Sequence, residues 1–134
     1  MDPVITALID SWNTRDLDRA EALYAPDFVG EDIGQAEPQQ GPADARLAME
    51  YYFSAFPDIQ IRLDEVVREG ERVVLFWTAI GTHKGVFMNI PPTGRHVEVQ
   101  GVSRMKLRDG FIVRAFYMWD YAGLLRSLRL LPDL

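Results

Sequence analysis

Apolar side chains recur at helical spacing over the first part of the chain and alternate with polar ones over most of the rest. Asp2-Pro3 is a favourable helix start, because aspartate caps free backbone amides and proline suits the first helical position. One helical face then carries Val4, Ile5, Leu8, Ile9 and Trp12. A first helix is therefore predicted to run to about Trp12.

A second short helix is predicted next, capped by Asn13 or Thr14. Its apolar stripe is formed by Leu17, Ala20, Leu23 and Tyr24. Pro26 is expected to stop it, because proline lacks the amide hydrogen that a helix interior needs. The segment 30–42 is rich in glycine, proline and polar residues, and it predicts a loop. A third helix is predicted from Asp44 to Ala55, before Phe56-Pro57-Asp58.

The remainder alternates in the manner of strands. The predicted strands cover about 59–67, 73–80, 97–107 and 111–119. Asp109-Gly110 predicts a tight hairpin turn between the last two, and a short terminal helix is predicted before Pro132. Helices followed by antiparallel strands predict an α+β fold, with one domain over residues 1–134.

The chain is acidic, with a formal net charge of −6 over 134 residues, and it has no cysteine. Acidity disfavours nucleic acid and anionic membrane as partners, since both bind basic surfaces. Neither an export signal nor a membrane-spanning run is expected from the sequence. A small neutral molecule is the expected partner, and the cytoplasm is the expected location because disulfides are excluded.

One carboxylate stands out, because Asp120 closes the apolar and aromatic run 111–119. Desolvation penalises a charged carboxylate and raises its pKa, which suits an acid/base that exchanges protons with a carbon acid. The alternative is structural, since aspartate just before Tyr121-Ala122-Gly123 is a favoured helix cap. Both interpretations remain open.

The last strand has two largely apolar faces. Period two puts Arg114, Phe116, Met118 and Asp120 on one face, and Val113, Ala115, Tyr117 and Trp119 on the other. Such a strand fits a sheet with a pocket on its concave side and a partner subunit on its convex side, so a homodimer is expected. Phe116 and Met118 are predicted to contact a substrate beside Asp120.

Several polar side chains near the predicted site have two interpretations each. Arg104 can polarise a carbonyl or pair with a carboxylate, or simply be solvated. Gln100 can hydrogen-bond a substrate carbonyl or lie on the surface. His83, which follows Gly81-Thr82, can be a second acid/base or a turn residue bound to local backbone.

Other candidates are weaker. Two histidines, His83 and His96, with no cysteine give no recognised metal-ligand spacing, so no metal is expected. Glu31 and Asp32 form an acidic pair that is interpreted as part of a solvated loop. No glycine-rich phosphate loop occurs, and Pro91-Pro92-Thr93-Gly94 predicts a turn.

Five short motifs together resemble the SnoaL-like polyketide cyclase family. They are Ala55-Phe56-Pro57-Asp58, Gly81-Thr82-His83-Lys84-Gly85, Pro91-Pro92-Thr93-Gly94-Arg95, Asp109-Gly110-Phe111-Ile112, and Trp119-Asp120 with Gly123-Leu124-Leu125. The resemblance implies the cone of the nuclear transport factor 2 superfamily, in which three helices close a strongly bent sheet around a deep apolar pocket. It further implies that Trp12 and Tyr51 face that pocket, and aromatic Phe56 is also expected to contribute to its surface.

The resemblance also implies chemistry. An aspartate on the last strand of characterised cyclases is the acid/base of an intramolecular aldol ring closure, and Asp120 matches it, with His83 at the pocket rim. The expected function is therefore cofactor-independent cyclisation of a hydrophobic oxo compound. This chain departs from the family pattern at Arg114, Ala115 and Phe116, where glutamate, histidine and tryptophan are frequent.

Two alternatives come from the same fold, which hosts many functions. One is a different enzyme, either an epoxide hydrolase or a ketosteroid-isomerase-like protein. Epoxide hydrolysis would require acidic residues near Arg104, whereas the residues two positions before and after it are Val102 and Lys106. The other is a non-catalytic module for small-molecule binding or dimerisation, in which Asp120 only caps a helix.

Overall fold

The computed structural model describes residues 2–133, and in this range four helices accompany one six-stranded sheet. The helices are α1 (Pro3–Thr14), α2 (Leu17–Glu21), α3 (Gly41–Ala55) and α4 (Tyr121–Ser127). The strands are β1 (Tyr24–Asp32), β2 (Gln39–Gln40), β3 (Gln60–Glu69), β4 (Arg72–Thr82), β5 (His96–Arg108) and β6 (Phe111–Trp119). None of the described helices is long and apolar enough to cross a membrane.

The strands lie in the order β2-β1-β6-β5-β4-β3, with β1 parallel to β6 and all other neighbours antiparallel. Register shifts interrupt the ladders between Leu63 and Glu65 and between Lys106 and Leu107. Such irregularities bend a sheet and increase its twist. One face is covered by helices, and the core lies between them and the sheet.

Local chemistry accounts for the helices beside the core. The Asp2 carboxylate accepts a hydrogen bond from the Val4 amide at 2.8 Å, as predicted for a cap, and α1 ends where Arg15 adopts a left-handed conformation. Buried Val4, Ile5 and Leu8 anchor α1 on the sheet. The third helix is confirmed, and it begins three residues before Asp44, at Gly41.

The second helix was predicted to continue to Pro26, and this was wrong, because α2 ends at Glu21. Leu23 follows the end of α2, and Tyr24 begins β1, which passes through Pro26. Proline is tolerated there because the β1–β6 ladder is interrupted between Tyr24 and Val29.

The predicted loop over 30–42 was also too long. It contains the end of β1, all of β2 and the start of α3, and the pairs Val29–Gln40 and Gly30–Gln39 join β1 to β2. A Cβ atom at Gly30 would lie 2.7 Å from the Phe28 ring, so close packing explains this glycine.

In the second half of the chain the observed elements match those predicted from the alternation of apolar and polar residues. The four long strands and the short terminal helix are confirmed. Asp109 and Gly110 both have positive φ, 52° and 79°, as the predicted tight hairpin turn requires. The α+β class is therefore confirmed.

Candidate functional site

An apolar cavity of about 140 Å³ lies between the concave face of the sheet and the helices. Its walls are mostly aliphatic and aromatic, including Leu8, Trp12, Met49, Tyr52, Phe56, Leu75, Trp77, Val97, Val99, Met105, Tyr117, Trp119 and Leu124. This volume is close to that of apolar cavities of about 150 Å³ that bind benzene. The cavity therefore suits a ligand, or part of a ligand, about the size of one aromatic ring.

Among the described residues that line the cavity, Asp32 carries the one carboxylate, and no lysine, arginine or histidine lines it. Asp32 ends β1 and is half-buried. Its Oδ1 atom accepts hydrogen bonds from the Gly34 amide and the Tyr121 hydroxyl, both at 2.9 Å. Both contacts are made by Oδ1, so one oxygen of the carboxylate fixes its orientation.

Three tyrosines lie near this carboxylate, namely Tyr52, Tyr117 and Tyr121, and a fourth, Tyr24, lies beside Tyr117. Burial raises the pKa of Tyr24 to about 12, and burial, with the charge of Asp32 adding to it, raises the pKa of Tyr121 to about 12. Burial also raises the pKa of Tyr52 and Tyr117 well above 10, and Asp32 contributes to both shifts. All four hydroxyls stay protonated at neutral pH and can donate hydrogen bonds to an oxygen that gains negative charge.

Helix α4 positions the Tyr121 hydroxyl. The Asp120 carboxylate caps α4 by accepting a hydrogen bond from the Gly123 amide at 2.7 Å. The Tyr121 ring stacks on Trp119, with 3.7 Å between ring centroids. A Cβ atom at Gly34 would overlap the Tyr121 ring and hydroxyl, so the glycine allows this approach. Cap, stacking and glycine together bring the Tyr121 hydroxyl to Asp32.

Asp120 itself lies outside the cavity. Its side chain is exposed and bound to backbone, which matches the helix-cap interpretation. The expectation of a desolvated carboxylate is corrected, because Asp120 continues the period-two series of Phe116 and Met118 onto the outer face. In this conformation an acid/base role for Asp120 inside the cavity is not supported.

Two of the three aromatic residues expected at the pocket, Trp12, Tyr51 and Phe56, lie at the cavity. Trp12 and Phe56 line it, whereas Tyr51 does not. Tyr51 is exposed, and its hydroxyl accepts a hydrogen bond from the Met88 amide at 2.6 Å. One residue along a helix turns the side chain by about 100°, so Tyr52 faces the cavity in its place.

The four substrate-contact candidates on the last two strands are Gln100, Arg104, Phe116 and Met118. They lie on the outer face, because the residues between them on β5 and β6, among them Ser103, Tyr117 and Trp119, face the cavity. The Arg104 guanidinium lies over the Phe116 ring, 5.2 Å from its centroid. The expectation that these side chains line the pocket is corrected, and Arg104 is not placed for epoxide hydrolysis in this cavity.

His83 is fully buried and does not line the cavity. Its Nδ1 atom accepts a hydrogen bond from the Thr93 amide at 3.2 Å, and its backbone bonds to Gly94 and Arg95. Among the described residues, Nε2 has no hydrogen-bond partner. These contacts match the interpretation as a turn residue, because they hold the two ends of the segment 83–95 together. No described group of three or more histidine or acidic residues can hold a metal ion.

Sequence reasoning missed Asp32, which it assigned to a solvated loop. A usable signal was present, since Phe28, Gly30 and Asp32 share one face at period two, and Phe28 is buried. The signal was hidden because Gly30, Gly34 and Pro38 indicate a loop when the segment is judged by composition alone.

Comparison with known proteins agrees with the motifs. The model of the SnoaL-like polyketide cyclase family matches residues 3–128. AclR from Streptomyces galilaeus, a proposed hydroxylase, is 30% identical with a TM-score of 0.86, over 98% of this chain and 85% of AclR. IdmH from Streptomyces antibioticus, a proposed polyketide cyclase, is 29% identical with a TM-score of 0.83, over 94% of this chain and 96% of IdmH.

A proposed SnoaL-like polyketide cyclase from Jannaschia sp. CCS1 has the same fold, with 24% identity, a TM-score of 0.86, and coverage of 96% of this chain and 91% of that protein. No match was found among curated proteins. The chain belongs to the SnoaL-like polyketide cyclase family, and the predicted cone-shaped α+β fold is confirmed.

Proposed function

We propose that this protein is an enzyme that moves a proton on a neutral, apolar oxo compound held in the cavity, and so promotes an aldol-type ring closure without a cofactor. One observation carries the proposal. The single carboxylate of the described cavity wall, Asp32, lies among tyrosines that stay protonated. A base beside neutral hydrogen-bond donors is the arrangement that enolisation needs.

The proposed steps use this chain's own residues. The Asp32 carboxylate removes a proton from the carbon next to a substrate carbonyl, and Tyr52 donates a hydrogen bond to the enolate oxygen. The enolate carbon then forms a carbon–carbon bond to a second carbonyl carbon of the same molecule. The resulting alkoxide takes the proton back from Asp32, so the carboxylate is regenerated.

Cavity chemistry limits the substrate. An anionic group would meet Asp32 with no cation on the described cavity wall to offset the repulsion. The volume of about 140 Å³ admits a reacting part about one ring in size. Neutral aryl or cyclic monoketones, whose α-protons exchange slowly in buffer alone, are therefore suitable test compounds.

The experiment measures deuterium exchange at the α-carbon of such ketones by NMR, because exchange reports proton removal whatever the final product is. Wild-type protein is expected to accelerate exchange, and Asp32→Asn to lose about 10²–10⁴-fold of the acceleration. Glu31→Gln is the matched control, since it makes the same change at the exposed neighbour. Equal rates for Asp32→Asn and wild type would refute the role of Asp32.

The same assay bears on the isomerase-like alternative, because moving a double bond in an unsaturated ketone begins with the same proton removal. A product analysis then separates the two enzymes. Ring closure forms a new carbon–carbon bond, whereas isomerisation leaves the carbon skeleton unchanged.

A second candidate is a non-catalytic module that binds a small apolar molecule. It is favoured by one observation, the exposed position of Asp120, which bonds to the Gly123 amide instead of facing the cavity. This candidate predicts that ketones shift NMR signals of Trp12 and Trp119 while their α-protons exchange at the rate in buffer alone.

We also infer that the protein is a homodimer formed through the outer face of the sheet. Helices cover the inner face only, and Phe76 and Met118 are 38% and 46% exposed on the outer face. Exposed apolar side chains that lie next to one another on a protein surface are typical of an interface.

A further inference from the structure

The connection between β4 and β5 contributes one side chain to the cavity wall. Among the described residues 83–95, Phe87 alone lines the cavity. Phe87 is 1% exposed, whereas its neighbours Val86 and Met88 are 56% and 39% exposed. Three consecutive apolar residues therefore point in different directions, and Phe87 is the one that is turned inward.

The backbone around Phe87 forms a tight turn. The Phe87 amide donates a hydrogen bond to the Ile90 carbonyl at 3.1 Å, and the Ile90 amide donates one to the Phe87 carbonyl at 2.8 Å. Between them, Met88 and Asn89 have φ values of 51° and 62°, the two positive values that a two-residue turn requires. Asparagine tolerates this conformation, but methionine rarely adopts it. Contacts with the rest of the molecule therefore stabilise the turn more than its local sequence does.

The base of the connection is attached to the end of α3. The amides of Lys84 and Gly85 both donate hydrogen bonds to the Ala55 carbonyl, at 2.9 and 3.1 Å. A Cβ atom at Gly85 would overlap the Ser54 carbonyl oxygen, so the glycine allows this close approach. The turn that carries Phe87 is thus held at a defined position beside the cavity.

The Phe87 ring packs against three other aromatic rings of the cavity wall. Its centroid lies 5.3 Å from that of Phe56, 5.7 Å from that of Tyr52 and 6.1 Å from that of Trp119. Tyr52 is the proposed hydrogen-bond donor to the enolate oxygen. The Phe87 ring therefore occupies apolar space next to the group that would bind the substrate carbonyl.

We propose that Phe87 determines the size of the ligand that the cavity accepts, by limiting it to one ring, and that a second fused ring would need the space of the Phe87 side chain. The volume of about 140 Å³ suits one ring, and overpacking a close-packed apolar site is unfavourable. The proposal rests on the proposed function for its ligand class, neutral ketones. It concerns binding alone, which requires no proton transfer.

Two saturated ketones test the size limit, cyclohexanone with one ring and 1-decalone with two fused rings. NMR titration that follows the indole signal of Trp12, a residue of the cavity wall, measures their dissociation constants. Wild type is expected to bind cyclohexanone at least about tenfold more tightly than 1-decalone, because the second ring overpacks the cavity. Phe87→Ala is expected to bind 1-decalone on the order of tenfold or more tightly than wild type does, since the space of the lost ring is apolar.

Phe28→Ala is the matched control. It makes the same truncation at an equally buried phenylalanine that does not line the cavity, so it is expected to keep the wild-type preference for cyclohexanone. Phe87→Leu and Phe28→Leu repeat the comparison with a smaller truncation and keep the test decisive where an alanine variant does not fold. Phe87→Leu is expected to gain part of the affinity for 1-decalone, and Phe28→Leu none.

The outcomes separate this proposal from the proposed function. An unchanged preference in the Phe87 variants would overturn the role of Phe87, and so would an equal gain of 1-decalone binding in the Phe28 variants, which would show a general loosening of the core. Binding of neither ketone to any variant would overturn both proposals. Size selection by Phe87 without any acceleration of α-carbon exchange would refute the proposed function and support the role of Phe87.

Discussion

At the scale of single residues, two aspartates exchange the roles that the sequence suggested. Asp120 follows an apolar run and looked desolvated, but the run alternates between faces and Asp120 emerges outside, where it caps α4. Asp32 follows glycine and proline and looked solvated, but it ends β1 at the cavity wall. The sequence pattern predicts that side chains alternate between the two faces of a strand. It does not predict which face becomes buried, because that depends on helices that lie far away in the sequence.

The cap role of Asp120 is tested by stability. Asp120→Ala is expected to lower the free energy of unfolding by about 1 kcal/mol, because the Gly123 amide loses its acceptor. Asp120→Asn is expected to keep it close to wild type, since asparagine is an equally good cap. Urea denaturation measures both variants, and an equal loss in both would argue against capping.

Tyr52 is the residue proposed to stabilise the enolate. Tyr52→Phe is expected to slow α-carbon exchange by about 10²-fold, which is the effect of losing one preorganised donor. Tyr51→Phe is the matched control, because it makes the same change one residue away, at an exposed side chain outside the cavity. Similar losses in the two variants would show that the effect is not specific to the cavity.

At the scale of elements, the long strands and three of the helices could be predicted, because each has a clear period in apolar positions. The errors cluster in β1 and β2. Those strands are short or interrupted, and Tyr24, Gly30 and Gln39 take part in the sheet only because of their partners in β2 and β6. Pairing of this kind is nonlocal, so a local pattern does not reveal it.

The contact between the loop after β1 and α4 gives a prediction at this scale. Gly34→Ala is expected to displace the Tyr121 ring, since the added methyl group would overlap it. The indole signal of Trp119, which stacks on Tyr121, should shift, and α-carbon exchange should fall about tenfold or more as Asp32 loses a donor. In the Tyr121→Ala background the same glycine substitution should have little further effect, and a full additional loss there would contradict this contact.

At the scale of the whole molecule, the protein is a cone whose inside and outside serve different purposes. The inner face of β4, β5 and β6 lines the cavity, and the outer face of the same strands carries Phe76, Val102 and Met118 side by side. Family membership could be predicted from the motifs, since these lie at turns and element ends that the fold requires. The substrate could not, because it depends on the shape of a cavity that α1, α3 and the sheet form together.

Burial of tyrosines makes global stability sensitive to alkaline pH. The folded protein holds the pKa of Tyr24 at about 12, above the ordinary value of 10.0, so the unfolded chain releases this proton first as pH rises. The stability contribution is present below pH 10 and falls as pH rises towards 12, by about 3 kcal/mol for a two-unit difference. Urea denaturation at pH 9 and above checks this fall, and Tyr24→Phe should reduce it.

The most direct test of the account compares Asp32→Asn with Asp120→Asn in the ketone exchange assay, with folding of both variants verified by circular dichroism. The account predicts that Asp32→Asn loses at least about 10²-fold of the acceleration, while Asp120→Asn stays within a few-fold of wild type. The reverse result, with Asp120→Asn inactive and Asp32→Asn active, would contradict it and return the acid/base role to Asp120.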